Sequence, residues 1–360
     1  MAVNREEFIQ ALREREAKVV ERLQQEKYSQ SFNPKELREA VYSYLTRPAK
    51  RLRPGILLFS CGAVGGDERR ALPAAAAVEV YHTWTLVHDD IIDNDAKRRG
   101  FPTVHEQFRA HALNEGYSER EAIDYGCNMA ILAGDLQHAW SMELLLESVA
   151  LGVKKDVVLD LAARLTGLTK RLLEGEALDV LYSKRGISEL SESDILTMLE
   201  LKTGILYEFA GIAGASIGLD QMINENNMIM AIGSFARKCG TAFQLQDDIL
   251  GIIGDEKLLG KPVGSDIREG KRTVIVLHAF QNAGKQEQEY LLNWLGNPAV
   301  SAGEIEKVKQ ILVEYNGVEY AKSMANKIIN QATAELSLLP DSKFKSLLLT
   351  WADYVANREL

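Results

Sequence analysis

Apolar residues recur at helical spacing along nearly the whole chain. Side chains at i, i+3, i+4 and i+7 share one face of a helix, so this period predicts helices rather than strands. The predicted helical segments are Glu36–Tyr44, Ala71–Asp93, Met129–Ala150, Val157–Tyr182, Ser191–Ile217 and Gln221–Ile253. No linker rich in glycine, serine or proline and no short-period repeat divides the chain. The pattern therefore predicts one all-α domain over residues 1–360, with about ten to twelve helices.

Two segments interrupt the helical period. Arg109–Tyr125 is polar, so we expect a surface loop and a short helix inserted between core helices. Gly254–Thr273 is rich in glycine, lysine and aspartate and is the longest irregular stretch. Because functional residues are often carried on loops, this second segment is a candidate lid over a site.

Composition and charge narrow the class of protein. The chain is 46% hydrophobic and 26% charged, as in ordinary soluble globular proteins, and its net charge of −9 argues against nucleic acid as a partner. Three scattered cysteines fit neither a disulfide framework nor a zinc site, which predicts a cytoplasmic location. The amino terminus lacks the features of a signal or transit peptide. The sequence contains no uninterrupted apolar run of about 18 residues, so we expect no transmembrane helix.

Two acidic clusters lie within apolar helical segments. Asp93 follows Asp89 and Asp90 by one helical turn, which places their Cβ atoms roughly 5–6 Å apart. A second pair, Asp247 and Asp248, has similar apolar neighbours. Most charge runs form a solvated helix face, but these flanking residues fit that interpretation poorly. Like charges one turn apart repel by about 0.2–0.5 kcal/mol per pair, whereas Mg²⁺ would bind them. Together the clusters indicate a metal-diphosphate site.

Basic residues are gathered in three places. Arg47–Arg53 holds four cations, Lys97–Arg99 follows the first acidic cluster, and Lys261 and Lys271 lie in the candidate lid. Taken singly, such residues usually serve solubility. Lys97–Arg99 could instead form salt bridges with the adjacent aspartates, which would leave no need for metal. Diphosphate binding requires both signs of charge, because metals bridge carboxylate to phosphate while arginine forks hold the other oxygens.

Three further polar residues lie on apolar helices. His82 precedes Asp89 by two helical turns and is either a satisfied core residue or a ligand contact. Lys202 lies amid apolar residues, where extension of its ammonium group to the surface is the ordinary outcome. Gln244 is of a type usually found at the surface or in caps. No phosphate-binding P-loop, GxSxG, HExxH or dinucleotide-binding glycine motif is present.

These residues form an ordered series that resembles a known family. The series is His82, His88–Asp93, Arg98–Gly100, Pro102–Thr103, Gly134–Asp135, Lys202–Thr203, Phe243–Asp248 and Gly260–Thr273. It resembles the trans-isoprenyl diphosphate synthases, or polyprenyl synthetases, from about Lys50 to Thr273. The resemblance implies one large bundle of antiparallel helices around a deep central cavity, the isoprenoid synthase fold. It also implies a homodimer with three Mg²⁺ ions per site that joins an allylic diphosphate to isopentenyl diphosphate.

The resemblance also implies roles for individual residues. The metal ligands would be Asp89, Asp90, Asp93, Asp247 and Asp248, with direct bonds from Asp89, Asp93 and Asp247. The allylic diphosphate would be bound by Arg98, Lys202 and Lys261, with Lys271 as a further substrate-binding residue. Isopentenyl diphosphate would be bound by Lys50, Arg53, His82 and Arg99. The catalytic residues would be Lys202, Thr203 and Gln244, the last two lining the path of the developing carbocation.

Two positions depart from the family pattern. The second acidic motif commonly ends in a third aspartate, where this chain has Gly251. Asp255 cannot substitute on a continuous helix, since eight residues from Asp247 place it roughly 12 Å along the axis. The paired glycines that usually precede the first basic motif are replaced by Pro48-Ala49.

Product length is predicted from the residues before the first acidic motif. A bulky side chain there would form the floor for the growing prenyl tail, and Trp84 and Tyr81 precede Asp89 by five and eight residues, with the small Thr85 beside them. In the family an aromatic residue at the fifth position accompanies short products, so we expect farnesyl or geranylgeranyl diphosphate, with C20 favoured. A plain core role for Trp84 is the alternative.

Two other functions share part of this pattern. A class I terpene cyclase has the aspartate-rich metal site but needs no second diphosphate pocket, so the cations at Lys50, Arg53, Arg98 and Arg99 argue against it. A non-catalytic subunit of a prenyl diphosphate synthase is expected to have lost parts of the acidic clusters, and this chain retains nearly all of them.

Overall fold

The computed structural model describes residues 3–254 and 264–357, and these are almost entirely helical. The α-helices are α1 (Arg5–Leu23), α2 (Glu26–Ser29), α3 (Lys35–Tyr42), α4 (Leu52–Ala63), α5 (Glu68–Ile92), α6 (Val104–Asn114), α7 (Glu119–Leu146), α8 (Lys155–Tyr182), α9 (Glu192–Leu199), α10 (Ile205–Leu219), α11 (Asn227–Ile253), α12 (Ser265–Glu269), α13 (Val274–Asn282), α14 (Lys285–Trp294), α15 (Ala302–Glu314), α16 (Gly317–Glu335) and α17 (Lys343–Ala356). Single 3-10 turns lie at Glu147–Leu151, Ile187–Glu189, Ile223–Glu225 and Leu336–Leu338.

Helix starts follow the capping rules. The Ser191 hydroxyl accepts a hydrogen bond from the Asp194 backbone, and the Asp194 carboxylate accepts one from the Ser191 backbone, so a capping box opens α9. The predicted segment Ser191–Ile217 is nevertheless divided, because a π-turn at Glu200–Gly204 separates α9 from α10. Such turns insert an extra residue into a helix and often mark functional sites.

The polar segment Arg109–Tyr125 connects two helices. Its first residues end α6, and a short turn leads to Ser118, which opens α7 in a capping box with Glu121. The charged side chains therefore lie mainly on helical surfaces around this turn. Its status as an inserted surface segment stays a prediction.

A two-stranded hairpin is the one non-helical motif among the described residues. Strands β1 (Lys97–Arg98) and β2 (Phe101–Pro102) pair antiparallel, with Arg98 opposite Phe101. Its two loop residues, Arg99 and Gly100, have φ values of 55° and 81°, as a type I′ turn requires. The helical period did not predict this hairpin, which places Arg99 at its tip.

Contacts divide the chain into two compact units. One comprises the chain up to Arg164 with Ala210–Ile232 and Leu338–Thr350, and the other comprises Leu165–Phe209, Gly233–Ser337 and the chain from Trp351. In the first unit α5 packs against α4 and α7, and in the second α13 packs against α15 and α16. The single domain over residues 1–360 stays a prediction. Within the described ranges, no helix is both long and apolar enough to cross a bilayer.

Candidate active site

The first acidic motif lies at the carboxyl end of α5. Asp89 and Asp93 are half-buried, Asp90 is buried, and Asp93 caps the helix with its backbone N–H donating to the Asp89 carbonyl over 2.8 Å. The carboxyl end of a helix carries the negative pole of its dipole, so three carboxylates there are unfavourable by themselves. This position therefore requires cations.

The negative charge of Asp90 is compensated by an arginine of the same chain. Arg98 Nε donates to Asp90 Oδ1 over 2.7 Å, and the Tyr44 hydroxyl donates to Asp90 Oδ2. Burial raises the pKa of Asp90, while the Arg98 charge acts in the opposite direction. The salt-bridge interpretation of Lys97–Arg99 thus holds for Arg98 and Asp90. Arg98 Nη2 also lies 3.8 Å from Asp95 Oδ2.

Arg53 and His82, both predicted to bind isopentenyl diphosphate, lie side by side. Arg53 Nη1 is 2.9 Å from His82 Nε2. Burial holds the pKa of His82 well below its usual range, and the charges of Arg53, Arg99 and Arg98 lower it further. A neutral His82 accepts the hydrogen bond from Arg53 and orients the guanidinium group. Lys50, in the loop before α4, is exposed.

Lys202 occupies the π-turn in the second unit. Its Nζ lies 2.7 Å from Asp179 Oδ2 and 2.9 Å from Glu176 Oε2. Lys271 Nζ lies 4.0 Å from the same Asp179 oxygen and 3.2 Å from Glu269 Oε2. Burial raises the pKa of Asp179, but Lys202 and Lys271 outweigh it, and the pKa is lowered. Two of the predicted substrate-binding lysines are therefore joined through one carboxylate.

Glu176 and Asp179 are site residues that the sequence analysis did not single out. They lie three residues apart on one face of α8, directly after Gly175. A methyl group on Gly175 would come within 2.5 Å of the Lys202 backbone nitrogen, so only glycine permits this approach. Glycine inside a helix costs about 1 kcal/mol relative to alanine, so a glycine there usually has a structural reason. Gly175, directly before a Glu-x-x-Asp pair, was therefore the sequence feature that could have indicated Glu176 and Asp179 as site residues.

Thr203, Gln244 and Asp248 form a hydrogen-bonded chain. The Thr203 hydroxyl donates to Gln244 Oε1 over 2.9 Å, and Gln244 Nε2 donates to Asp248 Oδ1 over 3.2 Å. Asp248 is 8% exposed, and its Oδ2 accepts no hydrogen bond from any residue in 3–254 or 264–357. Burial, then the charge of Asp266, raises the pKa of Asp248 well above its usual value. A buried carboxylate of this kind gains from a proton or a cation.

Asp266 occupies the space beside Gly251, the position that departs from the family motif. A methyl group on Gly251 would come within 2.7 Å of Asp266 Oδ2. The Gly264 N–H donates to the Gly251 carbonyl over 3.3 Å, which brings the start of α12 against the end of α11. A carboxylate from another element thus stands next to the place where the third aspartate is missing.

The predicted floor residues form an aromatic group on α5. Tyr81 is fully buried and packs edge-on against Trp84, which is 6% exposed, with ring centroids 5.0 Å apart. Trp84 Nε1 donates to His88 Nδ1 over 3.2 Å, and the His138 ring lies 4.5 Å from Trp84. The Thr85 hydroxyl donates to the His82 carbonyl over 2.8 Å. These contacts fit a core role as well as a floor.

Two predictions concern residues or ions beyond what the structure describes. Lys261 and the rest of residues 255–263 lie outside the described residues, whereas Gly254 and Gly264–Thr273 of the candidate lid are described. Over residues 3–254 and 264–357, no three His, Cys, Asp or Glu side chains converge as a metal site. Mg²⁺ usually takes one or two carboxylates together with water and substrate phosphates, so a complete protein cage is not expected.

Comparisons with known proteins identify the family. The family model for polyprenyl synthetase matches residues 34–312. A geranylgeranyl diphosphate synthase from Saccharolobus solfataricus is 36% identical over 312 residues, covering 86% of each chain. The crystal structure of a geranylgeranyl pyrophosphate synthetase from Pyrococcus horikoshii has a TM-score of 0.84 and 34% identity, covering 98% of this chain and 99% of that one. A polyprenyl synthase from Caulobacter crescentus, solved with calcium and isoprenyl diphosphate, has a TM-score of 0.79 and 25% identity over 97% and 95% of the two chains.

The chain belongs to the polyprenyl synthetase family. The predicted family, the all-α isoprenoid synthase fold and the prenyltransferase class are confirmed. The general prediction of a short-chain prenyl diphosphate synthase is likewise confirmed.

Proposed function

We propose that this chain joins an allylic diphosphate to isopentenyl diphosphate and releases farnesyl or geranylgeranyl diphosphate, with the C20 product favoured. The observation that carries the proposal is the end of α5, where Asp89 and Asp93 lie beside the buried Asp90–Arg98 pair. Metal-bound diphosphate needs carboxylates that bind the metal and cations that bind the phosphate oxygens, and this helix end provides both. The 36% identity to a geranylgeranyl diphosphate synthase supports the same substrate class.

Metal binding is assigned to the two acidic motifs separately. Asp89 and Asp93 bind Mg²⁺ at the first motif, while Asp90 holds Arg98 in place for the allylic diphosphate. At the second motif Asp247 is the ligand and Asp248 supports it, to give three ions per site. When bound, Mg²⁺ stabilises the negative charge that develops on the leaving diphosphate. The calcium and isoprenyl diphosphate in the Caulobacter relative support a divalent ion.

Asp266 supplies the carboxylate that the second acidic motif lacks at Gly251. Its carboxylate already lies next to residue 251 and acts electrostatically on Asp248. Asp266→Asn should therefore weaken Mg²⁺ binding at the second motif, measured by calorimetry in the presence of inorganic pyrophosphate. Asp156→Asn, at an exposed aspartate of α8, is the control. Equal Mg²⁺ affinity in both variants would contradict this role for Asp266.

The residues of the second unit bind and orient the allylic substrate. Lys202, Lys261 and Lys271 bind its diphosphate, and Glu176 and Asp179 hold the Lys202 ammonium group in position. The carbon–oxygen bond breaks with its electron pair moving to the diphosphate, and the allylic cation then alkylates the alkene of isopentenyl diphosphate, whose π electron pair forms the new carbon–carbon bond. The carbocation formed by this condensation then loses a proton to the released diphosphate, which restores a double bond. Thr203 and Gln244 present oxygen atoms to the cationic carbon chain.

One incubation distinguishes this function from its alternatives. The protein with Mg²⁺, an allylic diphosphate and isopentenyl diphosphate should yield an elongated diphosphate and free pyrophosphate. A hydrocarbon product would indicate a terpene cyclase. No pyrophosphate release from the protein alone would indicate a non-catalytic subunit. C5, C10 and C15 primers in parallel identify the preferred substrate and the final length.

Product length tests the floor formed by Tyr81, Trp84 and Thr85. Removal of the indole ring should let the tail pass, so Trp84→Ala is expected to give products longer than the wild type. Thr85→Ser, which keeps the hydroxyl group, is the matched control. An unchanged product distribution for Trp84→Ala, with folding retained, would assign Trp84 to the core alone.

A cytoplasmic homodimer is part of the same proposal. The side chains of Ile123, Ile131 and Leu132 on α7 are between 43% and 52% exposed, and apolar surface of this kind suits a second copy of the chain. Light scattering should give the mass of a dimer for the wild type and of a monomer for Leu132→Glu. Glu143→Ala, on the same helix, should remain dimeric. A monomeric wild type would contradict the dimer.

A further inference from the structure

A buried charge network surrounds Arg51, which lies within the basic stretch Lys50–Arg53. The Arg51 side chain is 2% exposed, with Nη1 2.6 Å from Glu16 Oε1 and Nε 3.2 Å from Glu79 Oε1. Its Nη2 donates to the carbonyl oxygens of Leu45 and Arg47 over 2.7 and 3.1 Å. Arg51 therefore joins α1, α5 and the loop before α4 through one guanidinium group.

The backbone at Arg51 is held in a costly conformation. Its φ of 39° lies in the left-handed region, which a residue with a side chain rarely adopts. Strain of this kind costs of order 1–3 kcal/mol and persists only where the surroundings hold the residue in place. Glu16, Glu79 and the carbonyl groups of Leu45 and Arg47 hold the Arg51 side chain in place. The resulting bend lies between Lys50, in the loop, and Arg53, in the first turn of α4.

Glu79, in the middle of α5, pairs with Arg51 and interacts electrostatically with Arg53 and Arg99. It is 6% exposed. Burial raises the pKa of Glu79, while the charges of Arg51, Arg99 and Arg53 lower it. One buried carboxylate thus acts on the basic loop through Arg51 and Arg53 and on the hairpin tip through Arg99. Each of these arginines would otherwise be repelled by the other two.

We propose that Glu79 and Arg51 are positioning residues that hold Lys50, Arg53 and Arg99 in the arrangement that receives isopentenyl diphosphate, before the substrate arrives. Glu16 extends this role to α1. The inference rests on the proposed function, because it takes those three cations as the binding group. A buried ion pair seldom adds stability over an apolar replacement, whereas preorganised cations gain affinity because less ordering remains to be done on binding.

The structure offers a matched control for this proposal. Arg15 Nε and Nη2 donate to the two Glu68 oxygens over 2.6 and 2.9 Å, so Arg15–Glu68 also joins α1 to α5, without contact to the basic loop. Glu79→Gln and Glu68→Gln therefore both weaken the α1–α5 connection. Only Glu79→Gln removes the charge that faces Arg51, Arg53 and Arg99.

The test compares KM values for the two substrates in these variants. Glu79→Gln should raise KM for isopentenyl diphosphate about tenfold and leave KM for the allylic diphosphate within about twofold. Glu68→Gln should leave both KM values unchanged, even where its thermal midpoint falls as far. Equal KM for isopentenyl diphosphate in Glu79→Gln and Glu68→Gln would overturn the proposal, as would a parallel rise in both substrates' KM in Glu79→Gln.

Two further measurements keep the test decisive. If Glu79→Gln does not fold, Glu16→Gln, whose side chain is 24% exposed, takes its place with a smaller rise of about threefold. Calorimetric binding of inorganic pyrophosphate does not depend on turnover. An inactive wild type would contradict the proposed function, and weaker pyrophosphate binding in Glu79→Gln than in Glu68→Gln would still support the positioning role. Equal binding would overturn it.

Discussion

The two acidic motifs place the same residue type in opposite environments. In the first motif the buried Asp90 is paired with Arg98, only eight residues further along the chain, and with Tyr44. In the second, the buried Asp248 accepts a hydrogen bond from Gln244, and another carboxylate, Asp266, raises its pKa further. The buried aspartate of the first motif thus has a counter-charge beside it, whereas the buried aspartate of the second motif lies close to another carboxylate. We infer that Asp90 is held for structure and that Asp248 is held ready for a cation.

The largest expected effect separates Asp89 from Asp90. Asp89→Asn should lower turnover by about 10²–10³, because it removes charge that stabilises the metal-bound leaving group, and should leave folding intact. Steady-state kinetics and a thermal melt on the same sample measure both quantities. Retained turnover in Asp89→Asn would contradict the proposed function.

Asp90→Asn should act on stability instead. Removal of one partner from a buried ion pair typically costs about 3–5 kcal/mol, because the Arg98 charge stays buried without its carboxylate. Urea unfolding measures this loss. The double variant Asp90→Asn/Arg98→Gln should recover part of it. A single variant as stable as the wild type would show that Arg98 reaches water and that Asp90 is no structural partner.

Asp248→Asn should shift stability the other way. The amide cannot carry a buried negative charge close to Asp266, so we expect the free energy of unfolding without metal, measured in urea, to rise. Turnover should fall in the same variant. A loss of stability comparable to that of Asp90→Asn would remove the contrast between the two motifs.

The smallest effect concerns pH. Since the folded-state pKa of His82 lies well below its ordinary value of 6.5, the unfolded chain binds more protons just below that pH. The stability contribution is therefore complete above about pH 6.5 and is lost as the pH falls. His82→Gln should flatten this decline between about pH 7 and pH 5 in urea unfolding. His111→Gln, an exposed histidine on α6, should decline as the wild type does.

Much of the molecule followed from local patterns. The helical period and the caps located most helices, and the ordered motifs identified the family and the prenyltransferase class. The salt-bridge alternative for Lys97–Arg99 holds at Arg98, which lies close to Asp90 in sequence. Glu176, Asp179 and Glu79 were missed, since single acidic residues on helices resemble ordinary surface charges until their partners are known. The π-turn at Lys202 has no periodic signature either.

The sequence by itself determined the helices, the two acidic motifs and the chemistry they can support, because these depend on residue type and on spacing along a few turns. Only the tertiary structure decided which distant groups surround the buried carboxylates. Tyr44 reaches Asp90 from 46 residues away, and Asp266 reaches Gly251 from another helix. The charge state of a buried group depends on the atoms that surround it, and those atoms come from distant parts of the chain.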